Sequence, residues 1–133
     1  MPTLRRPWLR EALAATDPDE QIRRQVAGAG AILRRAAALL DVVRGAAPAD
    51  PDLAEIWATN IEQRLTVQRV LAEALAGKTP LRDDLSADAA ADIALALLSP
   101  ETYNLLVRDR GWEHARWQQW TAGALRTLLT TLR

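Results

Sequence analysis

Along most of the chain, apolar residues recur at steps of three and four, the spacing of a helix that buries one face. Pro7 to Ala15 reads as a short helix with proline in the first turn, where its missing N–H is tolerated, and Trp8, Leu9 and Leu13 free to dock. Asp17, Pro18 and Glu20 then carry the signature of a helix start, with Glu20 placed as in a capping box. The helix they open is predicted over 18–44. Its stripe is Ile22, Val26, Ala29, Leu33, Ala36, Leu40 and Val43, and Gly45 is the expected stop. Gly28 and Gly30 interrupt it. They either let another element pack close, the reading favoured here, or mark a bend.

Asp50, Pro51 and Asp52 repeat the start signal and predict a helix over 51–76, ended by Gly77. A polar loop from Lys78 to Leu85 leads to Ser86, the cap of a helix over 87–109 with a kink or restart at Ser99-Pro100. Gly111 ends that pattern. A last helix is expected over 113–132, with a stripe of Trp117, Thr121, Ala124, Leu128 and Leu132, flanked by Trp120 and Leu125. No segment reads as a strand. The fold class implied is all-α, an antiparallel bundle of five to six helices in one domain spanning 1–133.

One stretch carries more apolar surface than a single face can hide. Ile93, Leu95, Leu97, Leu98, Tyr103, Leu105, Leu106 and Val107 surround the helix on nearly every side, and such a helix needs cover all round. A second copy of the chain can supply it. The last two helices are therefore expected to form half of a two-fold, four-helix interface, with Leu98, Tyr103, Leu106, Trp117, Trp120, Leu125 and Leu128 as contact residues. The competing reading is a purely intramolecular core.

Composition narrows the function classes. With 49% hydrophobic residues the chain can build a core. The 17 basic and 17 acidic residues balance, so the clustered positive charge that releases counterions from DNA is missing. Arg5, Arg6 and Arg10 form only a small basic patch, read as a solvated end. Without cysteine there are no disulfides, thiolate metal sites or cysteine nucleophiles. No apolar run is long enough to span a bilayer, and the start lacks the core of a signal peptide, so a cytoplasmic location is expected. Neither a phosphate loop nor a G-x-S-x-G elbow is present. His114 has no second histidine with which to hold a metal. No enzyme activity, cofactor or metal is expected.

The third helix holds an anomaly. On a wheel of about 100° per residue, Leu53, Trp57, Val67, Leu71 and Leu75 share one face, and Asn60, Arg64 and Gln68 fall in the same sector. Burying an unpaired polar group costs about 1–3 kcal/mol, so these three must be paired, hydrated or turned towards a cavity. An apolar cavity with a few convergent polar groups is what a small-molecule site needs. Trp57, Asn60, Arg64 and Gln68 are the candidate ligand-binding residues, Trp57 as a wall and Arg64 as an anchor. The alternative is structural: Arg64 pairs with an acid on a neighbouring helix and the amides bridge turns.

The segment ALLSPETYNLLVRDRGW, followed by a helix with W-x-x-W and a leucine stripe, resembles the C-terminal end of TetR/AcrR-type transcriptional regulators. R-P-W at Arg6 to Trp8, D-P-D-E after it, and A-D-P-D-L-A-E-I-W at Ala49 to Trp57 fit the same pattern. The resemblance implies that the two C-terminal helices pair with their two-fold mates and that the earlier helices surround an effector pocket. It does not extend to the helix-turn-helix domain that reads DNA in that family. The chain is expected to begin after such a domain, at an artificial start before an excised regulatory domain or as a naturally headless relative, and not to recognise DNA by itself. The expected function is therefore small-molecule sensing and homodimerisation within a TetR-family repressor, with an unidentified, apolar or amphipathic effector. A helical protein–protein interaction or scaffold module without a ligand is the alternative.

Overall fold

The computed structural model describes residues 6–133. They form six helices and three irregular turns: α1 (Pro7–Ala14), α2 (Pro18–Ala46), α3 (Pro51–Ala76), α4 (Ala87–Leu97), α5 (Pro100–Tyr103) and α6 (His114–Leu129). Short 3-10 turns lie at Ala47–Ala49 and Arg82–Asp84, and a π-helical segment spans Asn104–Asp109. The protein is all-α, and among the described residues the only extended pairing is an isolated bridge between Leu81 and Thr130.

The start signals work as helix caps in three of four places. Asp50 accepts from the N–H groups of Asp52 and Leu53, Ser86 from Ala89, and Ser99 from Thr102. Ser99-Pro100 is thus a restart, with Pro100 opening α5. Asp17 stands at the N-cap of α2, but its side chain caps nothing, and the expected capping box is not formed. Glu20 is drawn instead to Arg24 one turn on, and Asp19 to Arg23. Gly45 does not stop α2 either. The helix runs through it to Ala46 and tightens into the turn at Ala47–Ala49, where Pro48 ends the α pattern. Gly111 is the glycine that a turn does require, at φ +75° between the π segment and α6.

The architecture centres on α2, which packs against α1, α3, α5 and α6, while α3 lies along α4. The main core joins Ile22, Val26, Leu33 and Ala37 of α2 to Leu75 of α3, Ala90, Ala91 and Ala94 of α4, and Trp117, Leu125 and Leu129 of α6. A smaller cluster of Leu9, Ala12, Val67 and Leu71 seats α1 against α3. Gly28 and Gly30 both serve close packing, as expected. Trp8 lies over the first, and Trp117 and His114 lie over the second.

Three expectations, two about buried faces and one about helix type, are corrected by the structure. In α6 the buried row is Trp117, Thr121, Leu125 and Leu129, so Leu125 is central rather than flanking, and Leu128 is exposed. The helix ends at Leu129, which places Leu132 beyond it. The apolar excess of residues 93–107 is largely absorbed within the chain. Leu98 and Tyr103 are buried, Ile93, Leu97, Leu106 and Val107 are half-covered by the core, and only Leu105 of that set is exposed. Ala90, Ala91 and Ala94 of α4 are buried in the same core. Finally, residues 104–109 are π-helical rather than α-helical. Arg110 N–H bonds Leu105 C=O at 2.9 Å, and Asn104 Nδ2 donates to Ala37 C=O on α2 at 3.0 Å, holding the widened turn against the bundle.

Candidate functional site

α3 needs only its second half to complete the core. None of its residues before Val67 is buried, and from Val67 on Gln68, Leu71, Ala72 and Leu75 all are. The polar trio lies at this boundary. Asn60, Arg64 and Gln68 all line a cleft of about 160 Å³, together with Gln63, Val67, and Ala29, Ile32, Leu33 and Leu40 of α2. Leu95, Leu98, and Arg6 and Trp8 at the start of α1 complete the lining. The volume is near that of a cavity that admits a benzene-sized guest, and below the roughly 300 Å³ at which drug-sized sites begin.

The polar groups are arranged unequally. Arg64 donates through Nε to Asn60 Oδ1 at 2.8 Å, one turn away on the same helix. Its guanidinium lies over the ring of Trp57, 5.5 Å from the centroid, within cation–π range. Trp57 therefore supports Arg64 and does not itself line the cleft. No acid lies within ion-pair distance of Arg64 among the described residues. Burial pushes its pKa down from the ordinary value, and the nearby charge of Glu101 acts in the opposite sense. Gln68 is buried and accepts from Gln25 Nε2 of α2 at 2.6 Å. The structural alternative is thus met in part: the amides are paired, and the expected ion pair of Arg64 is not present.

The sequence reading missed two residues of the cleft wall, Arg6 and Trp8, and the burial of two glutamines, Gln21 and Gln25. Arg6 is not a solvated terminal charge: its Nε is buried and has no hydrogen-bond partner among the described residues, and the same holds for Trp8 Nε1. Arg5 lies outside the described residues. Gln21 and Gln25 are buried on α2, where their polarity disguised them as surface positions. Gln21 donates to Leu71 C=O at 2.9 Å and accepts from Lys78 Nζ at 2.5 Å. Lys78 also donates to the carbonyls of Ala12 and Leu13 at 3.4 and 3.2 Å, placing a cation at the C-terminal end of α1. The one legible signal was the spacing of Gln21, Gln25 and Ile22, Val26, adjacent pairs repeating every four residues.

A larger depression of about 540 Å³ lies between the start of α2 and α6. Its lining is mostly polar residues whose arginines already have partners: Arg23 and Arg126 with Asp19, and Arg24 with Glu20 and Glu11. No aspartate or glutamate lines the α2–α3 cleft among the described residues, although Arg64 also borders a separate depression lined by Asp92 and Glu101.

The proposed interface residues divide. Trp117 and Leu125 are fully covered and Leu98 and Tyr103 nearly so, which makes all four core residues of the single chain. Tyr103 packs edge-on to Trp117, ring centroids 4.9 Å apart, and its hydroxyl lies 2.8 Å from His114 Nδ1. Leu106 is half-covered, while Trp120 and Leu128 remain 43% and 47% exposed. Trp120 meets Trp112 edge-on at 5.9 Å, and Arg116 lies over Trp112 at 3.9 Å. Comparison with protein-family models, curated proteins and solved structures finds no match to this chain. No described helix is long and apolar enough to cross a membrane.

Proposed function

We propose that this chain is the small-molecule-sensing and dimerisation domain of a TetR-type transcriptional repressor acting in the cytoplasm, without catalytic activity. The observation that carries the reading is the cleft between α2 and α3, where apolar walls meet Arg64, a half-buried cation with no acid in ion-pair contact among the described residues. The cleft is bounded by α1, the element nearest the chain start, so an occupant would press on the helix through which an upstream DNA-reading domain would connect. Ligand binding would then shift the population between two arrangements of such domains, by as much as its affinity for the two differs. DNA recognition would belong to that separate domain. Exposed Leu105, Trp120 and Leu128 on the last two helical segments, with half-covered Leu106, support their pairing with a second copy.

A thermal-shift screen with small apolar and amphipathic molecules tests the sensing role, since a binder of the native state raises its apparent stability. Saturable stabilisation lost on substituting Arg64 supports the reading, and a screen without binders overturns it. A second reading, a scaffold module without a ligand, draws on Leu39, Val42 and Ile56, large apolar side chains left exposed on α2 and α3. It predicts no stabiliser in the same screen.

A further inference from the structure

The chemistry of the cleft says more about its occupant than that it is small. Its lining includes two arginines, Arg6 and Arg64, and no aspartate or glutamate. Two buried donors on lining residues, Arg6 Nε and Trp8 Nε1, have no acceptor among the described residues. Arg64 spends its Nε on Asn60, which leaves the terminal nitrogens of its guanidinium without a partner among the described residues. The amide of Gln68 is already held by Gln25. The lining is therefore richer in donors than in acceptors and holds no negative charge of its own; Gln63 adds one amide, and Asp92 and Glu101 line a separate depression that Arg64 also borders. A carboxylate supplies acceptors and negative charge together, since it only accepts and it pairs with guanidinium in a two-pronged geometry. Ile32, Leu33, Leu40, Val67, Leu95 and Leu98 make the apolar part of the wall, beside the Gln63 amide. The volume of about 160 Å³ matches a body the size of one six-carbon ring or chain.

We infer that the cleft binds a small monocarboxylate with an apolar body of about six carbons, its carboxylate held by Arg6 and Arg64. The inference rests on the sensing role proposed above and names the ligand class for it. It also gives α1 a part in recognition. The guanidinium of Arg6 precedes the first turn of α1, whereas that of Arg64 sits on α3, so the anion would tie the two elements together. An occupied cleft would hold the start of α1 down, and an empty one would leave two like charges facing the same space.

Calorimetry on the full chain tests this with three ligands of one shape: benzoate, benzyl alcohol and benzylammonium, at constant ionic strength. Benzoate is expected to bind saturably and about tenfold or more tighter than the alcohol, with the cation weakest, because charge-assisted hydrogen bonds exceed neutral ones. Arg64→Gln and Arg6→Gln should each weaken benzoate by about tenfold while leaving the alcohol unchanged. Arg6 lies outside the helices, so Arg6→Gln keeps the test usable should Arg64→Gln unfold the chain, which circular dichroism would reveal. Alcohol or cation binding as tightly as benzoate overturns the anion assignment but leaves the sensing role intact. No saturable benzoate binding at millimolar concentration also overturns it, and the apolar ligand screen then decides the sensing role separately.

Discussion

The indole of Trp8 occupies the space that a side chain on Gly28 would need. This contact fixes where α1 crosses α2, and with it the position of Arg6 at the edge of the cleft. A Gly28→Ala substitution favours the helix by about 1 kcal/mol through propensity. It also forces the indole aside, and overpacking of this kind costs about 1–3 kcal/mol. The expected outcome is a net loss of stability in urea unfolding, together with altered Trp fluorescence of the folded state. Gly123→Ala in α6, where nothing lies within 4 Å of the added carbon, is expected to gain up to about 1 kcal/mol instead.

The buried amides are expected to be coupled. Gln25 donates to Gln68 across the α2–α3 contact, and truncating either leaves the other without its partner. Gln25→Leu or Gln68→Leu alone should cost about 1–3 kcal/mol. Denaturation of the double variant should show a loss smaller than the sum of the two, because no orphaned amide remains. Additive losses would show that the pair does not interact.

Stability should depend on pH through His114. Burial and the charge of Arg34 both hold its pKa below the ordinary histidine value near 6.5. The unfolded chain therefore binds the extra proton first. The contribution is fully present above about pH 6.5 and is lost as pH falls through the lowered folded value. Urea midpoints measured across pH 5 to 8 should rise with pH over that window. The slope should flatten in His114→Gln relative to the parent, and an unchanged slope would assign the dependence to other groups.

Two leucines one helical turn apart separate core from surface. Leu125 is fully buried and Leu128 is 47% exposed. Leu125→Glu is expected to unfold the chain, since a buried unpaired charge is not tolerated. Leu128→Glu should leave monomer stability within about 0.5 kcal/mol, as surface substitutions do. Sedimentation should find a dimer for the parent and a monomer for Leu128→Glu. A parent that is monomeric at tens of micromolar would rule out the proposed pairing, and a variant that stays dimeric would move the interface off this face.

The helices were legible because their signals are local. Pro7, Pro18, Pro51 and Pro100 each open a helix where the chain has no N–H to lose, and Asp50, Ser86 and Ser99 cap their helices through neighbours two or three residues away. The face of α3 carrying Asn60, Arg64 and Gln68 was legible for the same reason, because helical periodicity depends only on spacing. The failures came where a local signal met a competing partner. The carboxylates at the start of α2 turned to arginines one turn away, and Asn104 found Ala37 C=O on another helix within the turn that became π-helical.

What a helical period leaves open is the neighbour, and only the tertiary structure decides that. The sequence by itself determined an all-α chain, most of its helix ends, the close packing at Gly28 and Gly30, and the polar break in an apolar face. It did not determine that α2 is the hub, that Leu98, Tyr103, Trp117 and Leu125 are consumed by the chain's own core, or that Arg6 and Trp8 stand beside Arg64. Those facts depend on which surfaces meet. Burial lowers the free energy of whichever contact covers the most apolar area, and no residue carries that choice alone. Arg6 shows the difference most directly: in sequence it is one of several charges near the start, and in the folded chain its buried Nε belongs to the wall of a cleft.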